Sequence, residues 1–448
     1  MSTQPRDEFV TPARRLRLPS VFLGRWRAAG TISYVFAWRG IDMPSSKVLD
    51  FRSSLLTLGA LRFPVSNPMT TNRLRQLHDA GQSVWLDYID RAMLRNGALA
   101  RLILDDSLMG MTSNPTIFEK ALADGTAYDE QIAAVTDTLS PSQLFELVET
   151  DDVRAACDIF ADVYRDARGT DGFVSIEVSP GVASDADATV EEGRRLWATV
   201  DRPNVMVKVP GTPEGAIAVR RLIADGINVN VTLLFSIDAH AQVIEAYLAA
   251  LEDRAAAGLP IDRVASVASF FVSRVDAEID KRLDAIAASS SDALRESILA
   301  LRGRAAIANA RLAYRLFTHR FAGARWERLA ALGAKVQRPL WASTSAKNPA
   351  YRDVMYVETL VGPHTVNTMP PATVDAFRDH GIVALTVDKD WTAAEQLFHD
   401  LEQCGVPMRD VTDKLLADGL ASFQKSFDTL IQGLERKATA LGTTLART

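Results

Sequence analysis

A (β/α)8 barrel, the TIM-barrel architecture of the α/β class, is the fold predicted for this 448-residue sequence. Three observations carry that prediction. From about residue 72, short apolar runs recur, each followed by a polar loop and an amphipathic stretch. Runs such as Val205-Met206-Val207 are apolar at every position, as strands of a parallel sheet buried on both faces must be. Eight such runs with helical spacers fill about 300 residues, enough to close one barrel.

The strands are expected at 84–86, 108–112, 173–178, 204–209, 229–234, 267–272, 339–343 and 365–367. Helical periods lie between them. After the fourth strand, Ala216, Val219 and Ile223 fall at i, i+3 and i+7, and Gly226 stands where a helix stops. After the fifth, Ser236 is placed as an N-cap, and Val243, Ile244, Tyr247, Leu248 and Leu251 form one apolar face. From Trp391 onward no strand signal appears. Leu415, Leu416, Gly419, Leu420 and Phe423 begin a helical stripe that continues to Leu430 and Leu434. This C-terminal helix is expected to pack across the outside of the barrel. An open doubly wound sheet is the competing architecture. It is disfavoured because no Gly-x-Gly-x-x-Gly follows an early strand.

Composition excludes several classes. With 47% hydrophobic and 24% charged residues, the chain can close a large core, so wholesale disorder is out. A net charge of −6 argues against nucleic acid as a partner. The apolar stretches are strand-sized or broken by charges, so no membrane span is expected. Cys157 and Cys404 are too few for a disulfide framework or a zinc cluster, and they suit a reducing cytoplasm.

Charge also marks a boundary. Residues 1–68 hold ten Lys/Arg and four Asp/Glu, whereas the remainder holds forty basic and fifty-two acidic groups. Three readings fit this basic segment: a disordered tail, a transit-like leader, or translation upstream of a later start at Met69. Its lack of helical period favours a poorly ordered, functionally idle extension. The domain that follows is 69–448, the barrel together with its C-terminal helices.

In such a barrel, polar side chains at the C-terminal ends of strands face the active site. Asp87, Asn114, Glu177, Lys208, Asn230, Thr232, Ser269, Arg274, Ser343, Ser345 and Lys347 all sit at or just beyond predicted strand ends. Lys208 is the most informative, because an ammonium in an apolar strand costs several kcal/mol unless compensated. Desolvation lowers a lysine pKa from about 10.4, at about 1.4 kcal/mol per unit, and a neutral amine can form a Schiff base with a carbonyl. Read alone, Lys208 fits equally a strand-end lysine reaching solvent or a structural ion pair. Asp87 and Glu177 are candidate acid/base groups, although caps and ion-pair partners look the same. Arg274 and Lys347 are candidates for a phosphate dianion, with Ser343 or Ser345 adding hydroxyls; surface salt bridging is the bland alternative. The six histidines are scattered, and no His-Glu-x-x-His, Walker A loop or Gly-x-Ser-x-Gly elbow is present, so no metal site is expected. Asn230-Val231-Thr232 matches a glycosylation sequon only by accident, since it falls in a buried strand.

Taken together, these segments resemble the transaldolase family. The resemblance runs from about Gln82 into the C-terminal helix. It is most specific in Val207-Lys208 through Gly215, Gly226-Ile227-Asn228 and Asn230-Val231-Thr232-Leu233-Leu234-Phe235-Ser236. Thr112-Ser113-Asn114-Pro115 and Val174-Ser175-Ile176-Glu177-Val178 agree independently. The resemblance implies a transferase of the non-oxidative pentose phosphate pathway. It would move a dihydroxyacetone unit from sedoheptulose 7-phosphate or fructose 6-phosphate to glyceraldehyde 3-phosphate or erythrose 4-phosphate. Lys208 would form the Schiff base, Asp87 would accept the hydroxyl proton during cleavage, and Glu177 and Thr232 would handle the water of imine formation and hydrolysis. Asn114, Asn230 and Ser269 would hold donor hydroxyls, and Arg274, Ser345 and Lys347 the phosphate. No cofactor is implied; the partners are sugar phosphates, and the state is monomer or homodimer.

Two departures from the family pattern stand out. Lys347 replaces an arginine in a Ser-x-Arg-Asn pattern, keeping the charge but losing bidentate geometry. Val209-Pro210-Gly211-Thr212 stands where other branches carry an Ala-Ser-Thr-like turn, which fits a long bacterial subfamily. A fructose-6-phosphate aldolase is the rival function, although Phe271 lies where that cousin tends to carry tyrosine. A non-catalytic barrel is the other rival.

Overall fold

The computed structural model describes residues 72–445 apart from 124–125 and 136–137, so the 1–68 extension and the start at Met69 lie outside the described residues. Among these residues, eight parallel strands close a barrel in sequence order. They are β1 (Gln82–Asp87), β2 (Leu108–Thr112), β3 (Phe173–Glu177), β4 (Val205–Pro210), β5 (Val229–Leu234), β6 (Ser266–Phe271), β7 (Arg338–Ala342) and β8 (Thr365–Met369). Pairing of Gln82 with Thr365 through Leu86 with Met369 joins β1 to β8. Each predicted strand is present, and the first and last are longer than their apolar runs because Gln82 and Thr368 are buried polar residues.

Alternation along the strands decides which side chains enter the barrel. In β4 the Val207 side chain abuts Gly193 of the Ala186–Val200 helix, so Val207 faces outward and Met206 and Lys208 face in. The interior is packed, not hollow. Trp85 is fully buried, and a Cβ on Gly110 of the neighbouring strand would come within 2.5 Å of its ring, so only glycine leaves room for the indole.

The connecting helices begin and stop where the local chemistry directs. Thr212 caps Pro213–Ala224 by accepting from the Gly215 N–H at 2.9 Å, and Gly226 ends that turn at φ +90°. Ser236 caps Ile237–Ala256 by accepting from the Ala239 N–H at 3.0 Å, and the expected apolar face of that helix is buried.

The C-terminal helix, Met408–Leu445, corrects one expectation. It does not lie on the outer wall. Gly419 sits against Leu233 at the end of β5, and Phe423 lines the cavity at the barrel mouth. Leu430 and Leu434 continue the same buried stripe. The helix therefore crosses the C-terminal end of the barrel and helps to wall its opening.

Candidate active site

A cavity of about 580 Å³ opens at the C-terminal ends of the strands. Asp87, Asn114, Lys208, Thr232, Ser269, Arg274, Ser343, Ser345 and Lys347 all line it, which brings together nine of the eleven residues named from sequence. Asn230 lies just beneath: its Oδ1 accepts from the Ser269 hydroxyl at 2.6 Å, and its Nδ2 donates to Ser175 Oγ at 3.0 Å. Glu177 is reached through Lys208.

Lys208 is 4% exposed and held from two sides. Its Nζ donates to Glu177 Oε2 at 2.8 Å and to the Ser113 carbonyl at 2.7 Å. Position explains both contacts. β3 and β4 place Glu177 opposite Lys208 in register, and Ser113 follows directly on β2. Burial pushes the Glu177 carboxyl up from its ordinary value; the Lys208 ammonium opposes that shift, and Asp87 adds to it. The Glu177 carboxyl, raised by burial and hydrogen-bonded to Lys208, is placed to exchange a proton with it.

Asp87 ends β1 and accepts from Thr112 Oγ1 at 2.8 Å. Burial raises its carboxyl too, against the attraction of Lys208, the Thr112 hydrogen bond, Arg274 and Lys347. A carboxylate with a raised pKa on the wall of a cavity shared with an amine suits a general base.

Two cations face the opening without a carboxylate partner among the described residues. The Arg274 guanidinium lies 5.2 Å from the Phe271 ring centroid, and Lys347 Nζ donates to Ser345 Oγ at 2.8 Å. Burial lowers the pKa of both, and for Lys347 the neighbouring Arg274 lowers it further. Such a pair gains most from a bound dianion.

Backbone strain shapes this end of the barrel. Leu233 in β5 and Ser343 just after β7 both take left-handed φ values, +57° and +58°, although neither is glycine. At Leu233 the β5–β6 register also slips, between Val231 and Leu234, which leaves Thr232 on the cavity wall and Leu233 under the C-terminal helix.

Sequence reasoning missed several wall residues. Tyr88, Thr116, Ile117, Lys120, Thr368 and Phe423 also line the cavity. Thr368 carries a polar group near a strand end and was open to notice; Lys120 lies in the Pro115–Ala123 helix, and Ile117 and Phe423 look like ordinary core on any helical wheel.

Comparisons with known proteins point to one family. The transaldolase/fructose-6-phosphate aldolase family model matches residues 84–434. A transaldolase of Thermobifida fusca is 48% identical over 369 residues, covering 82% of this chain and 98% of the relative. A transaldolase of Trichodesmium erythraeum is 44% identical over 377 residues, 83% of this chain and 99% of the relative. One from Mycobacterium ulcerans is 46% identical over 371 residues, with coverages of 82% and 98%.

Proposed function

The chain belongs to the transaldolase/fructose-6-phosphate aldolase family, and on that premise we infer a transaldolase whose chemistry runs through Lys208. The observation that carries the reading is the buried Lys208–Glu177 pair, 2.8 Å apart, at a cavity that also holds Asp87 and two cations free of carboxylates.

The donor is a ketose phosphate, with its phosphate on Arg274, Ser345 and Lys347. Lys208 passes a proton to Glu177, and the neutral amine attacks C2. The C2 oxygen leaves as water, taking one proton from the attacking nitrogen and one from Glu177, and a protonated imine remains. Asp87 takes the proton of the C4 hydroxyl, the C3–C4 bond breaks, and its electrons enter the imine to give an enamine. An aldose phosphate departs. A second aldose phosphate binds, the enamine attacks its aldehyde carbon, and Asp87 returns the proton to the new hydroxyl. Water, handled by Glu177 and Thr232, then hydrolyses the imine. Asn114 and the Ser269–Asn230 pair hold the three-carbon unit meanwhile. Sugar phosphates are the partners, and the cytoplasm is the expected compartment.

Borohydride reduction in the presence of fructose 6-phosphate, followed by peptide mapping, tests the assignment. A three-carbon adduct is expected on Lys208; an adduct on Lys347 would overturn the site. Lys208→Ala should abolish transfer yet keep the fold, because Glu177, already pushed towards its neutral form, can hold a proton when its partner is gone. Wild-type turnover in that variant would end the covalent route. A coupled assay for free dihydroxyacetone separates transfer from the aldolase rival.

A further inference from the structure

Behind Glu177, away from the substrate cavity, lies a second cavity of about 330 Å³. The Pro141–Ile159 and Ala186–Val200 helices, the chain after β3 and the C-terminal helix enclose it. Glu177 lines this cavity, while Lys208 lines the substrate cavity, so their hydrogen bond forms the partition between the two. Glu177 Oε2 serves Lys208; Oε1 is buried and has no partner among the described residues.

The acids around this cavity are not equivalent. Arg195 pairs with Glu146 at 3.0 Å and lies 3.8 Å from Glu192, which also accepts from Ser179 at 2.8 Å. Glu149, 4% exposed, has no such hold: no side-chain hydrogen bond or ion pair fixes it among the described residues. Around it stand Glu177 on β3, Glu192 and Arg195 on one helix, Glu146 on its own helix, and Lys208 on β4. Burial first, then the carboxylates of Glu177, Glu192 and Glu146, hold its carboxyl well above the ordinary range, against the pull of Lys208. Glu149 is thus a buried acid held towards its neutral form, on the same cavity as Glu177, whose Oε1 has no partner among the described residues.

Imine formation expels one water, and imine hydrolysis takes one back. During both steps the sugar phosphate occupies the mouth, with its anion on the cations there. We propose that the cavity behind Glu177 is the water port of these steps, and that Glu149 is a positioning residue whose carboxyl O–H, through a cavity water, donates to Glu177 Oε1. The proposal rests on the Schiff-base reading above. When the C2–O bond breaks, Glu177 gives its proton to the departing oxygen and becomes a carboxylate. Glu149 keeps its own proton and steadies that carboxylate, and the new water leaves past it. Hydrolysis runs the same path inward. Protons balance within the Lys208–Glu177 pair.

The test uses the full chain with fructose 6-phosphate and no acceptor. Two rates are read: borohydride trapping on Lys208, and exchange of the C2 oxygen with ¹⁸O-labelled water above the uncatalysed rate. Glu149→Leu should slow both about tenfold. Glu149→Gln keeps an N–H donor but cannot ionise, so it should keep both rates at neutral pH and retain them at alkaline pH, where ionisation of Glu149 is expected to slow the wild type. A Glu149→Leu variant at wild-type rates would overturn the proposal, as would Glu149→Gln with an unchanged alkaline decline. Should Glu149→Leu fail to fold, the Glu149→Gln profile decides alone. Gly181→Trp, at the exposed rim where an added Cβ meets nothing within 4 Å, tests the port itself. It should slow oxygen exchange, and unaltered exchange would refute the port. Failure of the wild type to be trapped on Lys208 would instead sink the Schiff-base reading.

Discussion

Asp87 and Glu177 show how two carboxylates of the same barrel take different tasks from their surroundings. Both are pushed up by burial, but Glu177 bonds directly to Lys208, whereas Asp87 is held by the Thr112 hydroxyl and faces the cavity. In the proposed mechanism, cleavage needs Asp87 ionised. Its raised pKa therefore puts the acid limb of the cleavage step above the usual aspartate range near 4, with activity rising as pH rises through that limb. Asp87→Asn should lower transfer about 100-fold or more and leave borohydride trapping on Lys208 intact. Single-turnover kinetics across pH would check both statements; a variant that lost trapping along with transfer would place Asp87 in imine formation instead. A lysine flanked by valines was readable from sequence because charge inside an apolar run is conspicuous. Glu149 was not, since on a helix carrying Glu146, Asp151 and Asp152 it reads as one more solvated acid.

Elements were legible to different degrees. The strands stood out because parallel strands buried on both faces are apolar throughout, and the caps at Thr212 and Ser236 act through short-range chemistry. The placement of the C-terminal helix was not legible: a stripe spaced at three and four says that one face is covered, not by what. Gly419 is the contact that seats it. A Cβ there would stand 2.9 Å from Leu233 Cδ2, and Leu233 is itself buried at a strained φ. Gly419→Val should shift the helix and widen the mouth, raising the KM for the ketose phosphate several-fold, with about 1–3 kcal/mol lost to overpacking. Steady-state kinetics beside thermal melting would show it, and an unchanged KM would mean that the helix is not part of the wall.

Asp276 ties another set of elements together. From the Ser273–Ala288 helix it accepts from the Tyr356 hydroxyl at 2.9 Å and the Ala306 N–H at 2.8 Å. Burial pushes its carboxyl up to about 6. A folded-state value above the unfolded one means that the neutral form is favoured on folding, so this contribution is full below about pH 4 and fades as pH rises through 6. It amounts to on the order of 3 kcal/mol. Asp276→Asn should flatten the pH dependence of the melting temperature between pH 4 and 7, relative to wild type.

At the scale of the whole barrel, the two ends divide the labour. At the N-terminal end lies Asp171, 4% exposed, which accepts from Ser83, from Trp85 Nε1 at 2.8 Å and from Arg338 at 3.2 Å. Asp171, Ser83, the Trp85 indole N–H and the Arg338 guanidinium engage one another, whereas Arg274 and Lys347 at the opposite end lack carboxylate partners among the described residues. Asp171→Ala should cost on the order of 3 kcal/mol by stranding Arg338 and the indole N–H, and leave kcat of the folded fraction unchanged. Denaturant melts with active-site titration would separate the two effects. Phe423 carries a different implication. A wall of the cavity comes from a helix near the end of the chain, after all eight strands. On the ribosome, the cylinder with its lysine can therefore be complete while the chamber still lacks one side. A nascent chain acquires its finished chamber only when its last long segment emerges, and a message cut short before that point encodes a chain that lacks this wall.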